Sequence, residues 1–297
     1  MAGYIDAMRS TLAELLGERD IAVPLSIDGL PEAVKPVVED AKSQLITYQG
    51  PGYAQLYLDR LRRFAGRRGV DDALLIEIAR LMAARMCYED AIRIAQLTLA
   101  EAGVGKTGPA ARGIDKKYRF RLDELVSALP EMVADPVLSV LEYIGWLHMP
   151  VKVRFNATSL LGIRRLKIES WLRRWRLLSV RYPKERAWVE RWLHMIDRCL
   201  TKQPQAVAEI VQTATMVQGY GTGYRQGLAD WHLIIDQLAK PTFDGALPLK
   251  DLAGAIVEAR AAALPDPRQA ALKRKIAAIR TAAMAEEQLG AASDLES

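Results

Sequence analysis

The chain has 297 residues, half of them hydrophobic and 26% charged, with a formal net charge of +5. That composition excludes disordered, collagen-like and disulfide-scaffold classes and leaves room for one large domain or two smaller ones. An excess of 41 basic over 36 acidic side chains is mild, and it reads as ordinary solvated surface rather than a strong polyanion footprint.

No apolar run approaches the ~18 residues of a membrane span. The best candidate, between Val137 and Met149, is interrupted by Glu142 and His148. The opening Met-Ala-Gly-Tyr-Ile-Asp lacks a basic stretch followed by an apolar one, so no export signal is expected. Cys87 and Cys199, each inside a helical pattern, are expected to be buried thiols in a reducing compartment. Together these features point to the cytoplasm.

In chain order, Ile5, Met8, Leu12, Leu15 and Leu16 mark a first helix that Gly17 can end. Pro31 suits the first turn of a second, through Val34, Val37, Val38 and Leu45. Gly50-Pro51-Gly52 breaks it, and a third carries Tyr53, Leu56, Tyr57 and Leu61. Asp71-Asp72 caps the longest early helix, from Leu74 through Met82 and on to Ile92, Ile94 and Leu97. A glycine-rich loop at 103–116 separates this N-terminal part, 1–102, from a central part at 117–247 and C-terminal helices at 248–297. One compact domain overall is expected. Later helices fall at about 135–147, 158–181, 184–202, 204–218, 222–240, 248–262 and 267–289, with Pro136, Pro150, Pro183, Pro204, Pro241 and Pro265 at or near the joints.

Two segments break the helical period. Tyr118, Phe120 and Leu122 alternate with Lys117, Arg119 and Arg121, while Val151, Val153 and Phe155 alternate with Lys152, Arg154 and Asn156. Period two is the strand signal, so a small two-stranded β element is expected, apolar on one face and basic on the other. The expected fold class is therefore all-α, mainly helical, with that one β element.

Gly103-Val104-Gly105-Lys106-Thr107 resembles the end of a phosphate-binding loop. Ala100 stands where its first glycine belongs, and an amphipathic helix rather than a strand precedes it. A chance match is the better reading. His148, His194 and His232 are far apart, none with another ligand at metal spacing. No nucleophile–base set is written in the chain, so no catalytic residue is assigned and the chain is not expected to be catalytic alone.

Two regions stand out as candidate contacts. The stretch with Arg164, Arg165, Lys167, Arg173, Arg174, Arg176 and Arg181 interleaves Trp171 with Trp175, and Trp188 with Trp192 lies just beyond. Tryptophans four apart read first as core of an amphipathic helix pair, with arginines bridging Glu169, Glu185 and Glu190. A basic surface that stacks single-stranded nucleic acid is the alternative. The second region is Gly219, Tyr220, Gly221, Thr222, Gly223, Tyr224, Arg225, Gln226 and Gly227. Its glycines allow positive φ, and its tyrosines and Arg225 can meet a ligand or partner; a plain helix–helix turn is the equal alternative.

The succession of motifs resembles the helical region that follows the α/β domain in the long beta subunit of bacterial indolepyruvate ferredoxin oxidoreductases. It runs from Tyr48-Gln49, Gly52-Tyr53-Ala54 and Tyr57-Leu58-Asp59-Arg60-Leu61 to the segment from Met86-Cys87-Tyr88-Glu89-Asp90 through Ala95. It continues through Leu122-Asp123-Glu124, Leu129-Pro130, Thr158-Ser159, Arg173-Arg174-Trp175 and Glu190-Arg191-Trp192-Leu193 to Gly219-Tyr220-Gly221 with Arg225 and Gly227. The resemblance implies a separately encoded, non-catalytic subunit or detached domain of a 2-oxoacid oxidoreductase or a related aromatic-compound enzyme complex, docking on catalytic α/β subunits. Thiamine diphosphate and iron–sulfur clusters would belong to those partners. This chain has no Gly-Asp-Gly motif, and two cysteines cannot ligate a four-iron cluster, so no cofactor or metal is expected on it. At the glycine corner it reads Thr222-Gly223-Tyr224 where the resemblance leads one to expect Asp-Thr-His. A stand-alone enzyme on a helical scaffold is a further alternative; a membrane partner is not expected and nucleic acid is the weaker reading.

Overall fold

A computed structural model describes residues 25–104 and 113–295. The described chain is mainly helical with one two-stranded antiparallel sheet. The first expected helix, at Ile5 to Leu16, lies outside the described residues, as do Gly105, Lys106 and Thr107. Two compact units form, each from stretches far apart in sequence: one from the N-terminal part to Ala65 with Met86–Arg186, the other from Gly66–Arg85 with Ala187 onward.

In the first unit, α1 (Lys35–Tyr48) and α2 (Pro51–Arg62) pack together across the break at Gly50. Val38, Leu45 and Tyr48 from one helix, with Tyr57, Leu58 and Leu61 from the other, are buried. The long helix expected from Asp71 to Leu97 is two helices, α3 (Asp72–Met86), which belongs to the second unit up to Arg85, and α4 (Ala91–Glu101) of the first. Asp90 makes the break, because its extended backbone and side chain cap α4, with Oδ1 accepting the Arg93 N–H at 2.6 Å. Asp71 caps α3 in the same way, accepting from the Leu74 N–H at 2.8 Å.

The expected β element is present. β1 (Asp115–Arg121) pairs antiparallel with β2 (Pro150–Asn156), Tyr118 opposite Val153 and Phe120 opposite Val151. Phe120 and Phe155 are buried, and Tyr118 meets Phe155 edge-on at 5.5 Å. Leu122 is not part of the strand. Glu124 accepts the Arg121 N–H at 2.9 Å and turns the chain into the short α5 (Leu122–Val126). Next, α6 runs Glu131–Tyr143, with Pro136 inside it rather than at a joint.

A continuous helix over 158–181 is not observed. Ser159 caps α7 (Leu160–Trp171), and the chain then tightens into a 3-10 segment, Leu172–Leu178. Three residues per turn in place of 3.6 changes which side chains face inward.

In the second unit, α8 (Arg181–Lys202) contributes Trp188, Trp192, Leu193 and Ile196 to a core shared with α9 (Val207–Gln212) and α10 (Gly221–Ile234). The 3-10 turn Thr213–Met216 separates α9 from α10, dividing the helix expected at 204–218. Trp188 stacks on Trp192 with centroids 6.2 Å apart and meets Trp231 at 4.9 Å. Pro241 does not end the helix it follows. A wide π turn at Ile235–Ala239 precedes α11 (Lys240–Asp244), which stops at Gly245 in the left-handed region. A proline needs room at the carbonyl one turn back, which a wider turn supplies. Finally α12 (Leu252–Ala261), capped by Asp251, and α13 (Ala270–Leu295) close the unit.

Candidate functional site

The glycine corner is a built turn. Gly219 and Gly221 hold φ of +73° and +69°, with Tyr220 extended between them as the N-cap of α10. A side chain at either glycine would strain the backbone. At Gly227 the demand is different, because a Cβ there would lie 1.8 Å from the Met216 carbonyl oxygen. Helix α10 therefore crosses the preceding turn backbone to backbone.

Of the side chains singled out here, Tyr224 is half-buried and lies beneath Arg85, whose guanidinium carbon sits 5.7 Å from the ring centre. The same guanidinium is 4.6 Å from the Trp188 ring, and Arg85 donates to the Val217 carbonyl at 2.8 Å. Arg225 is also half-buried and donates to Thr222 Oγ1 at 3.3 Å. The corner's tyrosine and arginine are thus tied into the second unit.

Beside the corner lies a cavity of about 790 Å³, with Thr222, Gly223, Gln226, Gly227 and Asp230 of α10 on one side. Val257, Arg260 and Ala261 of α12, with Leu264, Pro265 and Pro267 after it, form the other side. Glu209 and Thr215 hold Arg260 by hydrogen bonds of 2.9 and 3.2 Å. Gln226 belongs to the glycine stretch singled out in the sequence, whereas Asp230, Glu209 and Arg260 are of types common on helices and converge with it only through packing. The i, i+4 spacing of Gln226 and Asp230 was the one signal present.

In the first unit, Arg173 and Arg176 do not form a free basic surface with their neighbours. A period of three places Arg173, Arg176 and Ser179 on one side of the 3-10 segment. Arg173 donates to the Thr47 carbonyl at 2.7 Å and Arg176 to the Tyr48 carbonyl at 2.9 Å, satisfying the end of α1. Arg176 is 1% exposed and forks onto Asp90. Burial acts to lower its pKa, but Asp90, together with Tyr48 and Tyr88, raises it above the ordinary arginine value, so the guanidinium stays charged. The Arg174 side chain lies outside the described residues. Arg165 and Arg181 do bridge Glu169 and Glu185, as expected.

The four tryptophans also divide. Trp188 and Trp192 are core, whereas Trp171 is 53% and Trp175 42% exposed, so the core expectation fails for that pair. Exposed Arg164, Arg165 and Lys167 precede them on α7.

Further exposed surface lies on α6 and on the sheet. Met132, Val133, Val137, Val140 and Tyr143 of α6, with Trp146 after it, face solvent, and Ala134 is the only residue of that helix that is fully buried. On the outer face of the sheet, Lys117 stands opposite Arg154 and Arg119 opposite Lys152. Asp115 answers Arg154 at 2.7 Å.

Burial pushes the Cys87 thiol up to about 11 and the Cys199 thiol up to about 12. His148 lies near Asp123 at 3.4 Å, and Asp197 pairs with Arg67. Among the described residues no group of three or more His, Cys, Asp or Glu is placed to hold a metal ion. None of the described helices is long and apolar enough to cross a membrane. Gly103 closes α4 in the left-handed region, with the Val104 N–H on the Leu99 carbonyl, which accounts for that glycine structurally.

The family model described as "Family of unknown function (DUF6537)" matches residues 34–237. No curated protein and no solved structure matches the chain.

Proposed function

The chain belongs to that family, and we propose that it is a non-catalytic helical subunit, or detached domain, that docks on the catalytic α/β subunits of a 2-oxoacid oxidoreductase or a related aromatic-compound enzyme complex in the cytoplasm. The observation that carries this reading is the solvent-facing side of α6, where Met132 is 91% and Tyr143 92% exposed. A contiguous exposed apolar face rimmed by polar groups marks a protein contact, and aromatic and methionine side chains are common anchors there. The sheet of the same unit adds a basic outer face, with Lys117, Arg119 and Lys152. A partner surface with an apolar centre and an acidic edge fits it. The resemblance of the motif succession to the helical region of indolepyruvate ferredoxin oxidoreductases supplies the partner class, and any thiamine diphosphate or iron–sulfur cluster belongs to those partners.

Co-expression with the neighbouring reading frames, followed by purification on a tag carried by this chain, tests the proposal. The expected result is a stoichiometric complex with α/β subunits. A folded chain that purifies alone beside well-expressed α/β partners removes it.

Exposed Trp171 and Trp175 favour one second reading, in which their rings stack single-stranded nucleic acid while Arg164, Arg165 and Lys167 pair phosphates. Retention of an oligonucleotide with a steep salt dependence, lost in a Trp171→Ala, Trp175→Ala variant, separates it from docking.

A further inference from the structure

The cavity beside the glycine corner has a chemistry that docking does not use. Its wall carries Glu209, Asp230 and Arg260. Glu209 and Arg260 neutralise one another at 2.9 Å, which leaves the Asp230 carboxylate without an ion-pair partner among the described residues. Asp230 is only 4% exposed. Both of its amide donors converge on one oxygen, Gln226 Nε2 reaching Oδ1 at 2.8 Å and Gln269 Nε2 reaching it at 2.7 Å. Amides supply dipoles but no charge, and a buried carboxylate is costly without a countercharge. The second oxygen, Oδ2, remains for a donor from the cavity.

Gln269 adds an independent sign. Its φ is +55°, and it is the one non-glycine residue with a left-handed backbone among those described. Such strain persists where surrounding structure enforces it, and it concentrates at binding sites. Here it aims the amide that orients Asp230. Val257, Leu264 and Pro265 add apolar surface to the wall. The volume falls in the range of small-molecule sites, roughly 300–1,000 Å³.

We propose that this cavity binds a small organic cation, an amine with an apolar body, its ammonium on Asp230 Oδ2 and its body against Val257 and Leu264. Titration calorimetry on the full chain with n-hexylamine, and with hexanoate and hexanol as matched controls, tests this. Saturable binding of the amine is expected, with both controls at least tenfold weaker. Asp230→Asn keeps the acceptor for the two amides and removes the charge, so amine affinity should fall at least tenfold. A Cβ at Gly223 meets nothing within 4 Å, so Gly223→Leu should obstruct the cavity without disturbing Asp230 and weaken the amine as well. That second variant decides the matter if Asp230→Asn fails to fold. No saturable heat with hexylamine on the folded chain, equal affinity for hexanoate, or undiminished affinity in Gly223→Leu would overturn the proposal. None of those outcomes touches the docking reading.

Discussion

Arg176 and Asp90 meet in two hydrogen bonds, Nε to Oδ2 at 2.8 Å and Nη2 to Oδ1 at 3.0 Å, with both side chains almost wholly removed from water. The pair joins the 3-10 segment to the cap of α4, and the guanidinium also lies 3.9 Å from the Tyr48 ring centre. Removing one partner leaves the other charge buried and alone. Arg176→Ala and Asp90→Ala are each expected to cost about 3–5 kcal/mol of stability. The double variant should cost less than the sum, because both singles remove one shared interaction. Urea unfolding of the three variants checks this, and strictly additive losses would show that the two residues act separately.

The tryptophans provide a paired comparison. Trp192 is fully buried and donates to the Ile210 carbonyl at 3.3 Å. Trp192→Ala should destabilise by about 3–5 kcal/mol. Trp175→Ala, at a half-exposed site, should change stability by about 1 kcal/mol or less. Thermal denaturation of both variants gives the contrast, and equal losses would place Trp175 in a core after all.

On α6, Val140→Asp puts a charge on a side chain that is 59% exposed. Stability should stay within about 0.5 kcal/mol of the parent, as for surface substitutions generally. Partner affinity should fall by about 2 kcal/mol or more if this position lies at the centre of the contact. Pull-down of α/β subunits beside a melting curve reads both quantities. A variant that melts normally and still captures its partner moves the interface elsewhere.

His232 couples the second unit to pH. Burial first, and the neighbouring Arg191 next, hold its imidazole below the ordinary histidine value, with Asp236 opposing them. The unfolded chain then binds the proton more readily than the folded one. The contribution of His232 is therefore complete above the ordinary value of about 6.5 and is lost as pH falls through the lowered folded value. Urea midpoints at pH 7.5 and 5.5 should differ less in His232→Gln than in the parent. An unchanged difference would assign the acid sensitivity to other groups.

Helix positions were legible because apolar residues recur at 3.6 wherever one face is buried. The strand pair was legible because Phe120 and Phe155 sit in period-two runs with charged neighbours. What periodicity could not show was which face meets what. Trp171 and Trp175 carry the same i, i+4 signature as Trp188 and Trp192, yet the backbone tightens between the first two and carries them outward. Arg176 looked like surface because its partner Asp90 stands 86 residues earlier. The amphipathic look of α6 survives in the structure with its apolar side facing solvent, a case where pattern names a buried face without saying what covers it. Asp230 and Arg260, thirty residues apart, come to line one cavity only once α10 and α12 flank it.

The interleaving of the two units bears on how the chain is made. Segment 66–85 reaches the ribosome exit about a hundred residues before the stretch from Ala187 onward that completes its unit. At roughly 5–20 residues per second of synthesis, that gap lasts roughly 5–20 s. For that interval Leu75, Ile78 and Met82, fully covered or nearly so in the finished protein, have no core of their own to enter. The nascent chain therefore presents an apolar helix to chaperones before its second unit can close. Neither unit can be excised as one contiguous fragment, because each borrows from both sides of the other.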